Sequence, residues 1–150
     1  MSELFWLDES KALWQSMIDK GIKPQAVIIN GAQGVGKQAL LKHIVPVMLC
    51  ANSNEVACGQ CQSCRLSKAG HHPDVLSVLP ENHVVKVGMI RKLTEFFVST
   101  PHCSKHKISV IQQAHLMNNS AANALLKVLE EPPASGTLFL LSEAKHYLLP

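Results

Sequence analysis

The run Gly31-Ala32-Gln33-Gly34-Val35-Gly36-Lys37 leaves this chain few ways to fold. It comes directly after the apolar run Ala26-Val27-Ile28-Ile29-Asn30 and precedes a stretch with helical spacing. A strand, a glycine loop and a helix in that order form a cradle for phosphate. Gly31, Gly34 and Gly36 let backbone N–H groups point inward at a helix N-terminus, and Lys37 supplies a point charge for phosphate oxygens. A short apolar run of this kind reads as a fully buried parallel strand. The loop's shape alone does not decide whether ATP or ADP occupies it.

Beyond the cradle the chain departs from the usual chemistry. The position after the lysine ordinarily offers a Ser or Thr hydroxyl to Mg²⁺, and here it is Gln38. Ile108-Ser109-Val110-Ile111 reads as a strand whose end should present an acid, often two, to that metal and to the attacking water. It presents Gln112 and Gln113 instead. Neutral amides lack the anionic oxygen that a hard cation prefers, and Gln113 cannot act as a base. A bridging Mg²⁺ contributes several kcal/mol to phosphoryl transfer, and losing about 4 kcal/mol costs roughly 1,000-fold in rate. No functional Mg²⁺ site and no ATPase activity are expected.

The rest of the chain alternates helices and strands. Residues 7–19 are expected to form a helix with Leu7, Leu13, Trp14 and Met17 on its buried face, ended by Gly21 and Pro24. A second helix spans 36–49, and Pro46 should kink it or move its end. A short helix is expected over 62–69, and His72-Pro73-Asp74 is a turn. Strands are expected at 75–79, 107–112 and 137–142. Between them, 87–100 carries Val87, Ile90, Leu93 and Phe97 at helical spacing, and Pro101 stops it. Asn119 or Ser120 should cap a helix over 121–131 that presents Ala124, Leu125, Val128 and Leu129 to the core, and Pro132-Pro133 should cut it off. This is an α/β chain with a mostly parallel sheet flanked by helices, of the phosphate-loop NTPase type.

Four cysteines fall within fifteen positions: Cys50, Cys58, Cys61 and Cys64. Two overlapping C-x2-C steps gather three sulfurs, and Cys50 can fold back from the preceding helix end. Four thiolates suit a closed tetrahedral Zn²⁺ site, with Gly59 easing the turn between ligands. An iron–sulfur cluster is the alternative, and the spacing favours structural zinc. Cys103 stands apart as a lone thiol, and His71 and His72 are surplus to a filled site. Composition adds bounds. The 150 residues, 47% hydrophobic and 17% charged, suit one compact domain. No apolar run is long enough to span a bilayer, and the acidic start is unlike a signal peptide, so a cytoplasmic protein is expected. Four thiolates on one Zn²⁺ would lower the formal charge of +3 to about +1, too little to imply nucleic acid as a partner.

The phosphate loop, cysteine cluster, His72-Pro73-Asp74 turn and the run Asn119-Ser120-Ala121-Ala122-Asn123-Ala124-Leu125-Leu126-Lys127-Val128-Leu129-Glu130-Glu131-Pro132-Pro133 occur in one order. From Trp6 to Pro150 that set resembles the clamp-loader branch of the AAA+ ATPases in bacterial DNA polymerase III. In that branch the motor subunits keep the Mg²⁺-binding hydroxyl and the acids, and a companion subunit has commonly lost them. Gln38, Gln112 and Gln113 make this chain resemble the companion. The resemblance implies a rigid, non-hydrolysing member of a ring of five subunits, with motor (gamma/tau) and delta subunits as neighbours. That ring opens the sliding clamp and places it on primed DNA, in the service of a DNA-directed DNA polymerase, a nucleotidyltransferase. In family terms, Ser142 falls at the end of the strand carrying the sensor residue for γ-phosphate.

The chain ends at Leu148-Leu149-Pro150, just after a strand, and reads as an AAA+ domain (1–150, with the cysteine module at 50–64 inside it) cut near its edge. The family's arginine-bearing Ser-Arg-Cys element, lid and C-terminal collar all lie beyond this point. A piece of this extent should not complete a neighbour's active site or assemble stably by itself. Glu130 and Glu131 close their helix with negative charge where the macrodipole is also negative, so either they meet a basic partner or the helix end is simply solvated. Two other functions compete with the scaffold reading. A hydrolysing motor needs Ser or Thr at 38 and acids at 112 and 113. A zinc-dependent nucleic-acid-binding module needs bases and stacking rings, and around 50–64 only Arg65 is near, with no aromatic residue.

Overall fold

The computed structural model describes residues 8–21, 25–32, 34, 36–52, 56–104, 106–132 and 136–143. Leu7, Pro24, Gln33, Val35, Pro133 and the tail 144–150 lie outside the described residues. Four strands, β1 (Ala26–Asn30), β2 (Val75–Val78), β3 (Lys107–Ile111) and β4 (Gly136–Ser142), form one sheet in the order β1-β4-β3-β2. Every pairing is parallel, with Ile29 beside Leu141, Val110 beside Phe139 and Val78 beside Ile111. Among the described residues no helix is long and apolar enough to cross a membrane.

The side-chain period of two sorts the central strands onto two cores. Ile108, Val110, Phe139 and Leu141 face α1 (Asp8–Asp19) and α2 (Lys37–Leu49), meeting Trp14, Leu40, Leu41 and Ile44. Ile111, Leu138 and Leu140 face the other way, toward α4 (Val87–Val98) and α5 (Asn119–Glu130), where Ile90, Leu93 and Leu125 are fully buried. Helices on both faces explain why β3 and β4 are buried at every position.

Several expectations needed correction. β1 is an edge strand, not a fully buried one: Val27 and Ile29 pack on the α1–α2 side, and Ile28 is 47% exposed on the other. In α1, Trp14 is buried with its ring 5.8 Å from that of Phe139, and Ile18 packs one turn on, but Leu13 is 66% exposed. Position 13 lies a residue off the stripe that 14 and 18 define. α2 runs through Pro46 and ends at Leu49 as expected. β2 stops at Val78, leaving Leu79 exposed, and α4 stops at Val98. The cap of α5 is Asn118, whose Oδ1 accepts from Ala121 N–H at 2.9 Å, one residue before the expected position. Ala121, Ala122 and Leu125 are buried in α5, and Ala124, Val128 and Leu129 pack partly beside them.

Two buried charges hold the base of the sheet. Lys107 is 2% exposed; its ammonium donates to Phe96 O at 2.5 Å and to Ser99 Oγ, and lies 4.4 Å from the Phe96 ring. A cation at the C-terminal end of α4 meets the negative pole of that helix. Asp74, fully buried, accepts from the backbone N–H groups of His102 (2.6 Å), Cys103 (2.9 Å) and Ser104 (2.9 Å). The carboxylate thereby ties the segment before β3 to the start of β2.

Burial would raise the Asp74 carboxyl, but the three N–H donors, with His72 nearby, outweigh it and hold it below its ordinary value. A depressed carboxyl adds stability that is whole above the unfolded pKa of about 3.9 and is lost as pH falls below that. Asp74→Asn should therefore cost about 2–4 kcal/mol at neutral pH. Denaturant titrations of both proteins should show that gap narrowing below about pH 4, and a gap that is constant or widens in acid would contradict the assignment.

Candidate phosphate cleft and cysteine centre

Parallel pairing places the C-terminal ends of β1, β4 and β3 side by side, where ligands of open α/β sheets bind. Gly31 N–H donates to Ser142 O at 3.1 Å, fixing the loop to the end of β4. Gly34 and Gly36 adopt left-handed backbone (φ 83° and 107°), which a side chain would strain. Gly36 precedes α2 without a side-chain cap, so its first N–H groups face the loop. The Lys37 ammonium is folded back, donating to Gly31 O at 2.6 Å and Ser142 O at 3.3 Å.

The expected metal positions do come together. Gln38, the first turn of α2, donates through Nε2 to Oε1 of Gln112, at the end of β3. Gln112 is itself anchored, since its N–H bonds Val78 O at 2.9 Å. Gln113 is exposed in left-handed backbone (φ 53°) and leads into a 3₁₀ turn, Ala114–Leu116. A hard divalent cation seeks several oxygens, some anionic. Here the Gln112 oxygen is already engaged by an amide donor, and no carboxylate or hydroxyl stands at 38, 112 or 113, so this donor set does not fit Mg²⁺.

These residues line a cleft of about 490 Å³ with Ser142, which is fully buried at the end of β4. The cleft has three further charged or titratable residues that the motif did not reveal: Lys42, His115 and Glu143. His115 Nδ1 accepts from Glu143 N–H at 3.3 Å, and its Nε2 is 3.9 Å from the Glu143 carboxylate. Lys42 was findable, being just over one turn beyond Lys37 on the same helix; His115 and Glu143 arrive only through the sheet order.

The four clustered cysteines also meet. Cys50 caps the end of α2, Cys61 the start of α3 (Gln62–Ala69), and Cys64 lies in the first turn of α3. All four Sγ atoms lie within 4.8 Å of one another, and Cys58 Sγ is 3.8 Å from Cys64 Sγ. A tetrahedral ion with Zn–S of about 2.3 Å has S–S edges of about 3.8 Å. Gly59 takes the expected left-handed turn (φ 75°). Gln60 and Cys61 N–H donate to Cys58 Sγ and draw that thiol down to about 6, helped by Asn52. The Ala51 and Cys64 N–H groups lower Cys61. Burial pushes Cys64 up to about 12, so a metal bound there must displace its proton. The four sulfurs can hold a tetrahedral metal ion with no position left open.

Cys103, expected to stand alone, instead lies 3.5 Å from His72 Nε2, with Asp74 in the same group. His72 Nδ1 accepts from Asp74 N–H at 3.0 Å, which leaves the ring proton on Nε2, facing the sulfur. A ligating histidine shows the reverse pattern, donating with its other nitrogen. Burial lowers His72 and raises Cys103, keeping ring and thiol neutral. This cluster locks the fold and is no second metal centre. His71 remains exposed.

A family model described as DNA polymerase III, delta subunit, matches residues 6–150. The chain is 37% identical over 143 residues to subunit delta′ of DNA polymerase III from Pseudomonas aeruginosa, covering 93% of this chain and 44% of that one. It is 35% identical over 127 residues to the Escherichia coli subunit delta′ (83% and 38%) and 32% over 139 to that of Bacillus subtilis (93% and 42%). The chain thus spans less than half the length of these relatives. In fold it is similar to a DNA polymerase III gamma subunit-related protein from Thermotoga maritima, with a TM-score of 0.61 at 20% identity over 99% of this chain and 42% of the other. With a family model matching almost end to end, the chain belongs to the DNA polymerase III delta subunit family.

Proposed function

We propose that residues 1–150 form the nucleotide-binding-type domain of a clamp-loader subunit that does not hydrolyse ATP. Its part is structural: a rigid member of the cytoplasmic assembly that loads the sliding clamp onto primed DNA, with gamma/tau and delta subunits as partners. The family match and the relatives named delta′ support the assembly. The observation that carries the rest is the Gln38–Gln112 pair, two amides bonded to each other where a motor would seat its metal. The motor reading shares the glycine loop and Lys37 but needs a hydroxyl at 38 and acids at 112 and 113, where this chain has three glutamines. The nucleic-acid module would need aromatic rings for base stacking, and the stretch 50–64 has none.

The cysteine centre serves this role as a structural Zn²⁺ site. Cys50, Cys58, Cys61 and Cys64 would hold the ion, which supplies cross-linking rather than chemistry. Glu130 and Glu131, both exposed and free of ion pairs among the described residues, offer a neighbouring subunit an acidic contact.

Phosphate release from purified protein with Mg²⁺ and ATP should match buffer alone, and sustained turnover would refute the proposal. A Gln38→Thr, Gln112→Asp, Gln113→Glu triple variant should gain Mg²⁺-dependent nucleotide affinity of roughly tenfold or more. Elemental analysis should find one zinc per chain. Cys61→Ser should lose most of it and lower Tm by about 10 °C, an effect of roughly 2–4 kcal/mol at this size. Full metal retention in that variant would remove Cys61 from the ligand set.

A further inference from the structure

We infer that the cleft takes a linear polyphosphate, free or as the tail of a nucleoside triphosphate, without a divalent cation, and binds it more weakly when Mg²⁺ is present. The inference rests on reading 31–37 as a phosphate loop, and it goes beyond the absence of hydrolysis. Ordinary phosphate-loop proteins seat the metal and the anion together, so Mg²⁺ tightens binding. Here the cradle and the metal site have come apart. Gly34 and Gly36 keep left-handed backbone at the start of α2, a helix of 13 residues that has no side-chain cap to compete for its first N–H groups. The metal position is filled by the Gln38–Gln112 pair.

Two lysines, one half-buried and one exposed, can compensate phosphate charge. Lys37 and Lys42 both line the cleft. The Lys37 ammonium needs only to exchange two carbonyl acceptors, Gly31 O and Ser142 O, for phosphate oxygens. His115 sits on the far side of the end of β4; with Nδ1 accepting from Glu143 N–H, its proton is on Nε2, 3.9 Å from the Glu143 carboxylate and too far for a hydrogen bond. That proton is available to an anion. Glu143 is the one acid among the described residues lining the cleft, and it opposes the ligand.

Mg²⁺ bound to a polyphosphate cancels two of its charges and occupies oxygens that the lysines and N–H groups would otherwise reach. A cleft that offers lysines to the anion, and no carboxylate or hydroxyl at 38, 112 or 113 to the metal, therefore selects the free anion. Two charges at several ångströms from one half-buried and one exposed lysine correspond to about a five- to tenfold difference in affinity.

The test is calorimetric titration of the chain with ATP and, separately, with inorganic tripolyphosphate, each in EDTA and in excess Mg²⁺. Phosphate release is measured in the same samples. Both ligands should bind in EDTA and bind about five- to tenfold more weakly with Mg²⁺. Binding of ATP alone would assign the site to nucleotides, and equal binding of both to the polyphosphate chain itself; either outcome supports the inference. Lys42→Ala should weaken binding in EDTA about threefold or more, and Glu143→Gln should tighten it by a similar factor, with Tm unchanged in both. A merely structural role would not move these two variants in opposite directions. No binding of either ligand in EDTA, or tighter binding with Mg²⁺, would overturn the inference. The non-hydrolysing reading would stand in the first case, and only turnover would sink it.

Discussion

The position of β4 between β1 and β3 governs everything that this molecule brings together. A parallel strand inserted there carries Ser142 to the neck of the glycine loop, where its carbonyl accepts from both Gly31 N–H and the Lys37 ammonium. It also sets the end of β3, and so Gln112, one strand's spacing further along the same edge. Residues 74 positions apart then touch across the cleft, as Gln38 and Gln112 do. Without that strand order the same motifs would be scattered along the carboxyl edge and no shared cleft would form.

Shape and chemistry separate cleanly at this edge. The cradle depends on backbone freedom at Gly34 and Gly36 and on the N-terminus of α2, and neither requires a metal. Catalysis of phosphoryl transfer depends on oxygens at 38 and 112 that would hold a cation against developing charge. Replacing these by two amides costs the fold little, because the amides satisfy each other. The mutual pairing lets the scaffold carry amides at both positions with their facing groups bonded to each other.

What the sequence made legible was local or periodic. The strands β3 and β4 and the C-x2-C steps are short-range patterns whose physics acts within a few residues; the structure gathers the sulfurs as read and moves one end of each strand by a single residue. Errors arose where the deciding contact was distant or off by one. Ile28 looks as apolar as Ile29, and only the sheet order reveals that β1 has one open face. Asn118, Asn119 and Ser120 are all good caps, and the choice fell to Asn118 because Val85 O accepts its N–H and fixes where the helix begins. Asn82 and His83 turn the chain in left-handed backbone without a glycine, closed by reciprocal Glu81–Val84 bonds. The reach of Asp74 to 102–104 leaves no local trace, since an acid after proline reads first as a turn former.

The cysteine centre and the cleft are joined by one helix. α2 begins at the phosphate loop and ends at Cys50, so its first turn is held by the glycine cradle and its last by the sulfur cluster. From the same cluster, Ser63 in α3 donates to Cys103 O at 3.3 Å, and Cys103 N–H is one of the donors to Asp74 at the base of β2 and β3. The centre therefore braces both the helix that carries Gln38 and the segment leading into the strand that carries Gln112. Four cysteines that close around one ion would leave no open position to assist a reaction, but they would set the distance between two elements that must stay in register. A metal ion held there would fix the spacing between α2 and β3, the elements that carry Gln38 and Gln112.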